Sequence, residues 1–368
     1  MSILRLENLS NSIADNGFDG VVLNPGASLT YLTGLSFHLM ERPVVFIYLP
    51  HKRPVLILPE LEKAKLAELP FESSAFFFGD NPADRIEAFH SAAKELGLDG
   101  KNLAVEPTRI RFLELEYLKA CAPSARYLDG SEIFETLRLK KDESEIHLME
   151  KAVDIAQKAF QALLPQIRVG RTERMLANEL TTLMLKFGSD PELPFQAIFS
   201  SGPNSANPHA APSERELQKG DLVVVDWGAS YQGYASDLTR TLVMGEPNAE
   251  QKAIAASVLR ANTAGRASGK PGIQAGDVDR AARAEIEKDG FGVYFTHRTG
   301  HGLGMEAHET PYMFAENKNL LHTGMVYTVE PGIYLPGKYG VRIEDDVVVT
   351  EGGSRSLSDL PREMYVIA

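Results

Sequence analysis

The sequence predicts an α+β protein of two domains: an N-terminal α/β domain over residues 1–138, then a domain over residues 139–368 whose two halves are related by a pseudo-two-fold axis. Three observations lead there. Short apolar runs alternate with helical patterns up to about residue 135, a long capped amphipathic helix opens near residue 142, and beyond it a pattern of helices followed by an acid-bearing hairpin occurs twice. A chain of 368 residues is also longer than one average core.

In the first domain the apolar runs are VVLN at 21, PVVFIYLP at 43, PVLILP at 54, SAFFF at 74 and NLAV at 102, each of strand length. Helix-like stretches separate them, such as NPADRIEAFHSAAKELG, bounded by Pro82 and Gly97. Five or six strands are expected. The segment LKKDESEIHLMEKAVDIAQKAF then opens with a capping box, Asp142 to Glu145, and sets Ile146, Met149, Val153, Ala156 and Phe160 on one helical face.

The repeat follows. PQIRVGRTER (165–174) aligns without gaps on PGIQAGDVDR (271–280), pairing Pro165 with Pro271, Gly170 with Gly276 and Arg174 with Arg280. GDLVVVDWG (220–228) aligns on GMVYTVEPG (324–332), pairing Asp226 with Glu330, and GYASD aligns on GVRIE, pairing Asp237 with Glu344. Acid falls on acid twice. Aspartate is poor in strands and costly to bury unless it is paired or bound to a cation. Two halves facing each other would gather four carboxylates, which cannot all ionise without a counter-charge.

Bound cations supply one, and the missing ligand type is imidazole. The stretch RTGHGLGMEAHE sets His301 between two glycines, with His297 and His308 flanking, and glycine lets backbone approach a site closely. Carboxylates mixed with one histidine suit manganese, cobalt, zinc or ferrous iron better than magnesium. Two divalent ions would balance the four acids and acidify a water held between them.

DWGASYQGYASDLTRT, HRTGHGLGMEAHE, TVEPGIY and GVRIEDD together resemble the proline-specific metallopeptidases of the pita-bread fold, the Xaa-Pro dipeptidase (prolidase) and aminopeptidase P group, over essentially the whole chain. The resemblance implies a creatinase-like N-terminal domain, for dimerisation and site shaping, ahead of a pita-bread catalytic domain. It implies a site for two divalent metal ions, with manganese expected and cobalt or zinc as alternatives. Asp226 would chelate one ion, His301 and Glu330 the other, and Asp237 and Glu344 both. It further implies catalytic roles for His209, in the loop SGPNSANPHAAP, and for His308, and substrate contacts for His297 and Arg342. The substrate would be a small proline-containing peptide, cut before proline, with Xaa-Pro dipeptidase favoured over aminopeptidase P. The same fold hosts creatine and ectoine hydrolases, a lower-ranked alternative. YLTGLSFHLMERP (31–43) resembles a loop that approaches a neighbouring subunit's site, but His38, Glu41 and Arg42 are read as a solvated loop.

Other classes lose ground on composition. A net charge of −12 and a pI near 5.3 argue against nucleic acid. The single Cys121 permits no intrachain disulfide or thiolate metal cluster, which fits a reducing cytoplasm. No apolar run of 18 residues exists, so no membrane partner is expected, and a homodimer is. GHGLG lacks the dinucleotide-loop spacing, and neither GxSxG nor a Walker lysine occurs. His51, His90, His147 and His322 lie outside the motifs and are read as surface residues.

Overall fold

Strands in the first part of the chain are apolar on both faces, which a sheet covered on both sides requires. The computed structural model describes residues 2–368, and the chain divides after Arg138 into two units. The first contains α1 (Ser2–Asp15), β1 (Gly20–Leu23), α2 (Ala27–Thr33), β2 (Val45–Tyr48), β3 (Val55–Pro59), β4 (Ser74–Phe78), α3 (Arg85–Leu96), β5 (Asn102–Val105), α4 (Phe112–Cys121), β6 (Arg126–Asp129) and α5 (Ser131–Leu139). The sheet order is β4-β3-β2-β1-β5-β6, antiparallel through β3-β2-β1 and parallel elsewhere. Val22, Val45, Ile47, Ile57 and Leu103 pack on Phe89, Ala92 and Leu96 of α3, which stops at Gly97 in the left-handed conformation. All five expected strands form. The sixth, RYLD, has an exposed or half-exposed side chain at every position of a sheet edge, so no apolar run announced it.

The second unit begins as the capping box requires. In α6 (Glu143–Leu163) the Asp142 side chain accepts from Glu145 N and the Glu145 carboxylate accepts from Asp142 N. Met149, Val153, Ala156 and Phe160 are buried as the helical period demands, and Ile146 is partly so. There follow α7 (Glu173–Lys186), β7 (Ile198–Ser201), β8 (Leu222–Trp227), β9 (Ser230–Tyr231), β10 (Tyr234–Ala235), β11 (Leu238–Met244), α8 (Ala249–Ser268) and α9 (Ala275–Lys288). The chain continues with β12 (Gly300–Gly302), β13 (Glu309–Met313), β14 (Val326–Val329), β15 (Gly332–Leu335), β16 (Tyr339–Arg342), β17 (Asp345–Thr350), β18 (Gly353–Ser356) and β19 (Tyr365–Ile367).

Two sheets result, β19-β11-β8-β7 and β13-β12-β14-β17-β18, and in each a three-strand run repeats: β7, β8, β11 in the first half and β12, β14, β17 in the second. The acids fall as the repeat implies, on or one residue beyond the two strands of an antiparallel pair: Asp226 on β8 and Asp237 just before β11, Glu330 just after β14 and Glu344 just before β17. Each pair flanks a separate small hairpin, β9–β10 or β15–β16. The helical part of the repeat shifts. Gly170 and Gly272 share a left-handed φ and donate to Leu217 O and Leu321 O respectively, so the structural offset there is 102 residues, and Gly170 does not match Gly276. The first half carries an extra turn, Leu164–Gln166, after α6, and a slip of about one helical turn preserves the apolar period. No described helix is long and apolar enough to cross a membrane.

The halves meet at Thr239 and Glu344, where Glu344 N donates to Thr239 O at 3.1 Å. Fully buried Arg240 ties this seam by donating to Glu344 O at 2.6 Å and to Asp345 Oδ1 at 2.9 Å.

Candidate metal centre

Each acid sits on a strand or one residue beyond it and is held there by its neighbours. Trp227 is fully buried, stacks on Phe160 at 4.5 Å and donates to Ala156 O, so strand alternation turns the preceding Asp226 to the opposite face. Asp237 N donates to Asp346 Oδ2 at 3.0 Å, and Glu330 N donates to Thr299 O at 2.7 Å. Thr239 Oγ1 donates to Glu344 Oε2 at 2.6 Å. The strands β8, β11, β14 and β17 thereby deliver all four acids to one cavity of about 500 Å³. It is lined by Asp226, Asp237, His301, Glu330 and Glu344, and also by His209, His297, His308 and Arg342. His51, His90, His147 and His322 are exposed elsewhere.

His301 is 3% exposed, and its Nδ1 lies 3.1 Å from Gly302 O. A carbonyl only accepts, so Nδ1 carries the proton and Nε2 is bare. That nitrogen is 3.5 Å from Glu330 Oε1 and 3.8 Å from Asp237 Oδ2. The flanking glycines serve strand packing: a Cβ at Gly300 would collide with Thr328 O, and one at Gly302 with Thr310 O.

The donors fit divalent ions. Ligand atoms of Asp237, His301 and Glu344 lie within 4.8 Å of one another. Asp226 Oδ1 and Asp237 Oδ1 are buried without a hydrogen-bond donor. Burial raises every one of the four acids: Asp237 and Glu344 well above the carboxylate range with neighbouring acids adding to the effect, Glu330 to about 8, and Asp226 likewise, with the Arg342 charge working against the rise. Burial together with the His308 ring, 4.0 Å away, pushes His301 down to about 3. Carboxylates pushed toward protonation beside an imidazole pushed toward neutrality are a set whose charge a cation would restore.

The remaining residues divide into two kinds. His209 and His308 are exposed to the cavity. Arg342 is 2% exposed and donates to Asp226 Oδ2 at 2.5 Å, Thr239 Oγ1 at 3.1 Å, Pro208 O at 3.1 Å and Tyr334 OH at 3.0 Å. His297 donates from Nδ1 to Arg298 O and accepts at Nε2 from Tyr334 OH at 2.8 Å. Arg342, Tyr334 and His297 thus form one chain of hydrogen bonds, and burial with the nearby Arg342 charge pushes His297 down to about 4. Tyr334, Thr239, Asp346 and Arg298 also stand at the site, outside the motif-derived set. Tyr334 stands in the quoted TVEPGIY, and the acid-in-a-strand argument that singled out Asp226 applies equally to Asp346.

Comparison with known proteins agrees with this geometry. Residues 147–351 match metallopeptidase family M24, and residues 5–140 match the creatinase/prolidase N-terminal domain. The chain is 36% identical to a Xaa-Pro dipeptidase of Pyrococcus horikoshii over 354 residues, 95% of each chain. It superimposes on a recombinant prolidase from Thermococcus sibiricus with a TM-score of 0.93 at 37% identity, covering 98% of both chains. An X-Pro aminopeptidase from Thermotoga maritima matches with a TM-score of 0.86 at 31% identity, covering 98% of this chain and 99% of that one. Matched over both units, and with carboxylates and one bare imidazole nitrogen gathered in its cavity, the chain belongs to metallopeptidase family M24, its peptidase domain preceded by a creatinase/prolidase N-terminal domain.

Proposed function

We propose that the protein hydrolyses the peptide bond preceding proline, with Xaa-Pro dipeptides as its substrates. The observation that carries this reading is the convergence of four carboxylates, a bare imidazole nitrogen, two exposed histidines and one buried guanidinium on a single cavity. The full-length likeness to a Xaa-Pro dipeptidase supports the substrate class.

Asp226 would hold one ion, His301 and Glu330 a second, and Asp237 and Glu344 both, with manganese expected and cobalt or zinc accepted by the same donors. Divalent ions held by these residues would supply Lewis acidity toward a carbonyl and toward water near neutral pH. His209 donates to the oxygen that gains charge as the scissile carbonyl becomes tetrahedral. His308 exchanges a proton on the leaving-group side, and Glu330 or one of the shared carboxylates, Asp237 or Glu344, relays one. Arg342 supplies positive charge for the substrate's carboxylate, and His297, linked to it through Tyr334, orients that end of the cavity. The bond before proline has no N–H, so selection rests on ring shape and the ends of the peptide.

The deciding experiment is hydrolysis of Ala-Pro, Ala-Pro-Ala and a pentapeptide with proline second by the manganese-loaded protein. A strong preference for the dipeptide is expected. Equal rates on all three would make the protein an Xaa-Pro aminopeptidase, a second reading that the match to the Thermotoga maritima enzyme favours. We further place the protein in the cytoplasm as a homodimer, with residues 1–138 for dimerisation and site shaping; light scattering giving the mass of one chain would remove the dimer.

A further inference from the structure

Two buried acids outside the cavity wall each grip the strand that precedes or carries a histidine of the site. Glu173, the first residue of α7, is fully buried. Its Oε1 accepts from Ser201 N at 2.6 Å and Ser201 Oγ at 2.7 Å, and its Oε2 from Ser213 N at 3.0 Å and Ser213 Oγ at 2.6 Å. Asn204 Nδ2 bonds both oxygens at 3.1 Å. Ser201 ends β7 and Ser213 lies beyond His209, so one carboxylate closes both ends of the loop that presents His209. A side chain saturated in this way is costly to replace, since an amide would point a donor at donors already in place.

Asp279, on α9, is 1% exposed. Its Oδ1 accepts from Thr299 N at 3.0 Å and Thr299 Oγ1 at 2.9 Å, and Thr299 O receives Glu330 N. One turn along, Arg283 pairs with Asp279 and donates to Phe295 O at 3.0 Å and His297 O at 2.9 Å. Together they fix residues 295–299, directly ahead of His301 on β12. The two acids therefore hold opposite ends of corresponding strands: Glu173 the end where β7 gives way to the His209 loop, Asp279 the approach to β12.

We infer that Glu173 and Asp279 are positioning residues with separate duties, Glu173 for the histidine that meets the substrate and Asp279 for the histidine and glutamate that meet the metal. The inference rests on the roles proposed above for His209, His301 and Glu330. The test is Glu173→Gln against Asp279→Asn, each measured for Mn(II) affinity by calorimetry with the metal alone, for amide exchange of residues 201–213, and for kcat/KM on Ala-Pro.

Glu173→Gln should leave Mn(II) affinity within about twofold of wild type, speed exchange over 201–213, and lower kcat/KM by about 10-fold or more; Asp279→Asn should weaken Mn(II) binding by about 10-fold and leave exchange at 201–213 unchanged. Equal losses of metal affinity in both variants, or no change in either, would overturn the division of duties. Where a charge-removing variant does not fold, Ser213→Ala and Thr299→Val remove one partner from each clamp and decide the same arms. Should the wild type fail to cut Xaa-Pro peptides, the peptidase reading falls while exchange and Mn(II) affinity still decide this one.

Discussion

In the first half of the second unit β7 runs out at Ser201 and the loop beyond it brings His209 to the cavity, exposed; in the second half β12 itself carries His301, which is 3% exposed. The two halves share strand order and acid placement, yet they deliver imidazoles of opposite character. A strand surrounds its histidine with backbone, so Nδ1 is tied to Gly302 O and Nε2 is left bare toward the acids. A loop leaves its histidine room and solvent. Ligation rewards a fixed bare nitrogen, and transfer to a substrate rewards access. One strand plan thus presents the same residue type in two unlike settings.

The comparison breaks most severely if the shared acids are not shared. Asp237→Asn or Glu344→Gln should reduce metal content at both positions and lower kcat/KM by about 10³-fold or more, the scale of losing a Lewis acid worth several kcal/mol. Elemental analysis showing two ions in either variant would end that assignment. Next in size is the contrast between histidines. His301→Ala should lose an ion, whereas His209→Ala and His308→Ala should keep metal content while kcat/KM falls by about 10²-fold. Wild-type turnover in the last two would make them structural.

Arg342→Met should raise KM for Ala-Pro by about tenfold and for Ala-Pro-Ala by less, since only the dipeptide ends at that point. The same variant removes the Asp226 ion pair, so a kcat loss common to both substrates should accompany it. Identical KM changes would confine Arg342 to holding Asp226.

The smallest effect is on the stability of the metal-free protein. Burial lowers His297 and His301, which favours the folded state as pH rises toward 6.5; burial raises Glu330 to about 8, so the folded state binds the extra proton above its unfolded value of 4.5. The two effects oppose each other up to about pH 6.5. Above it only the raised carboxyls act, and stability should fall by roughly 1–2 kcal/mol between about pH 6.5 and pH 8 from Glu330 alone. Thermal melts over that range check the sign, and adding Mn(II), which takes the proton's place, should flatten the slope.

All nine residues that the motifs single out line one cavity, and they were legible because their motifs are compact: the acids sit at strand ends and His301 between glycines. The partners of Thr239 and Asp346 were not, since sequence distance hides them. Asp346 reaches Asp237 N across 109 residues and Thr239 reaches Glu344 across 105. Nothing local in SDLTRT says that its first threonine will orient a glutamate from the other half.

Local chemistry alone determined the capping box at Asp142, the apolar face of α6, the five apolar strands and the pairing of acid with acid, because each depends on neighbours within a few residues. The tertiary structure decided the rest. It moved the helical register of the repeat by one turn, which periodicity cannot see because a turn preserves the apolar face. It also inserted a small hairpin between the acids of each pair and gave Arg342 to Asp226 across 116 residues. A buried guanidinium bonds whatever acceptors the fold brings to it, and only the packed chain determines which those are.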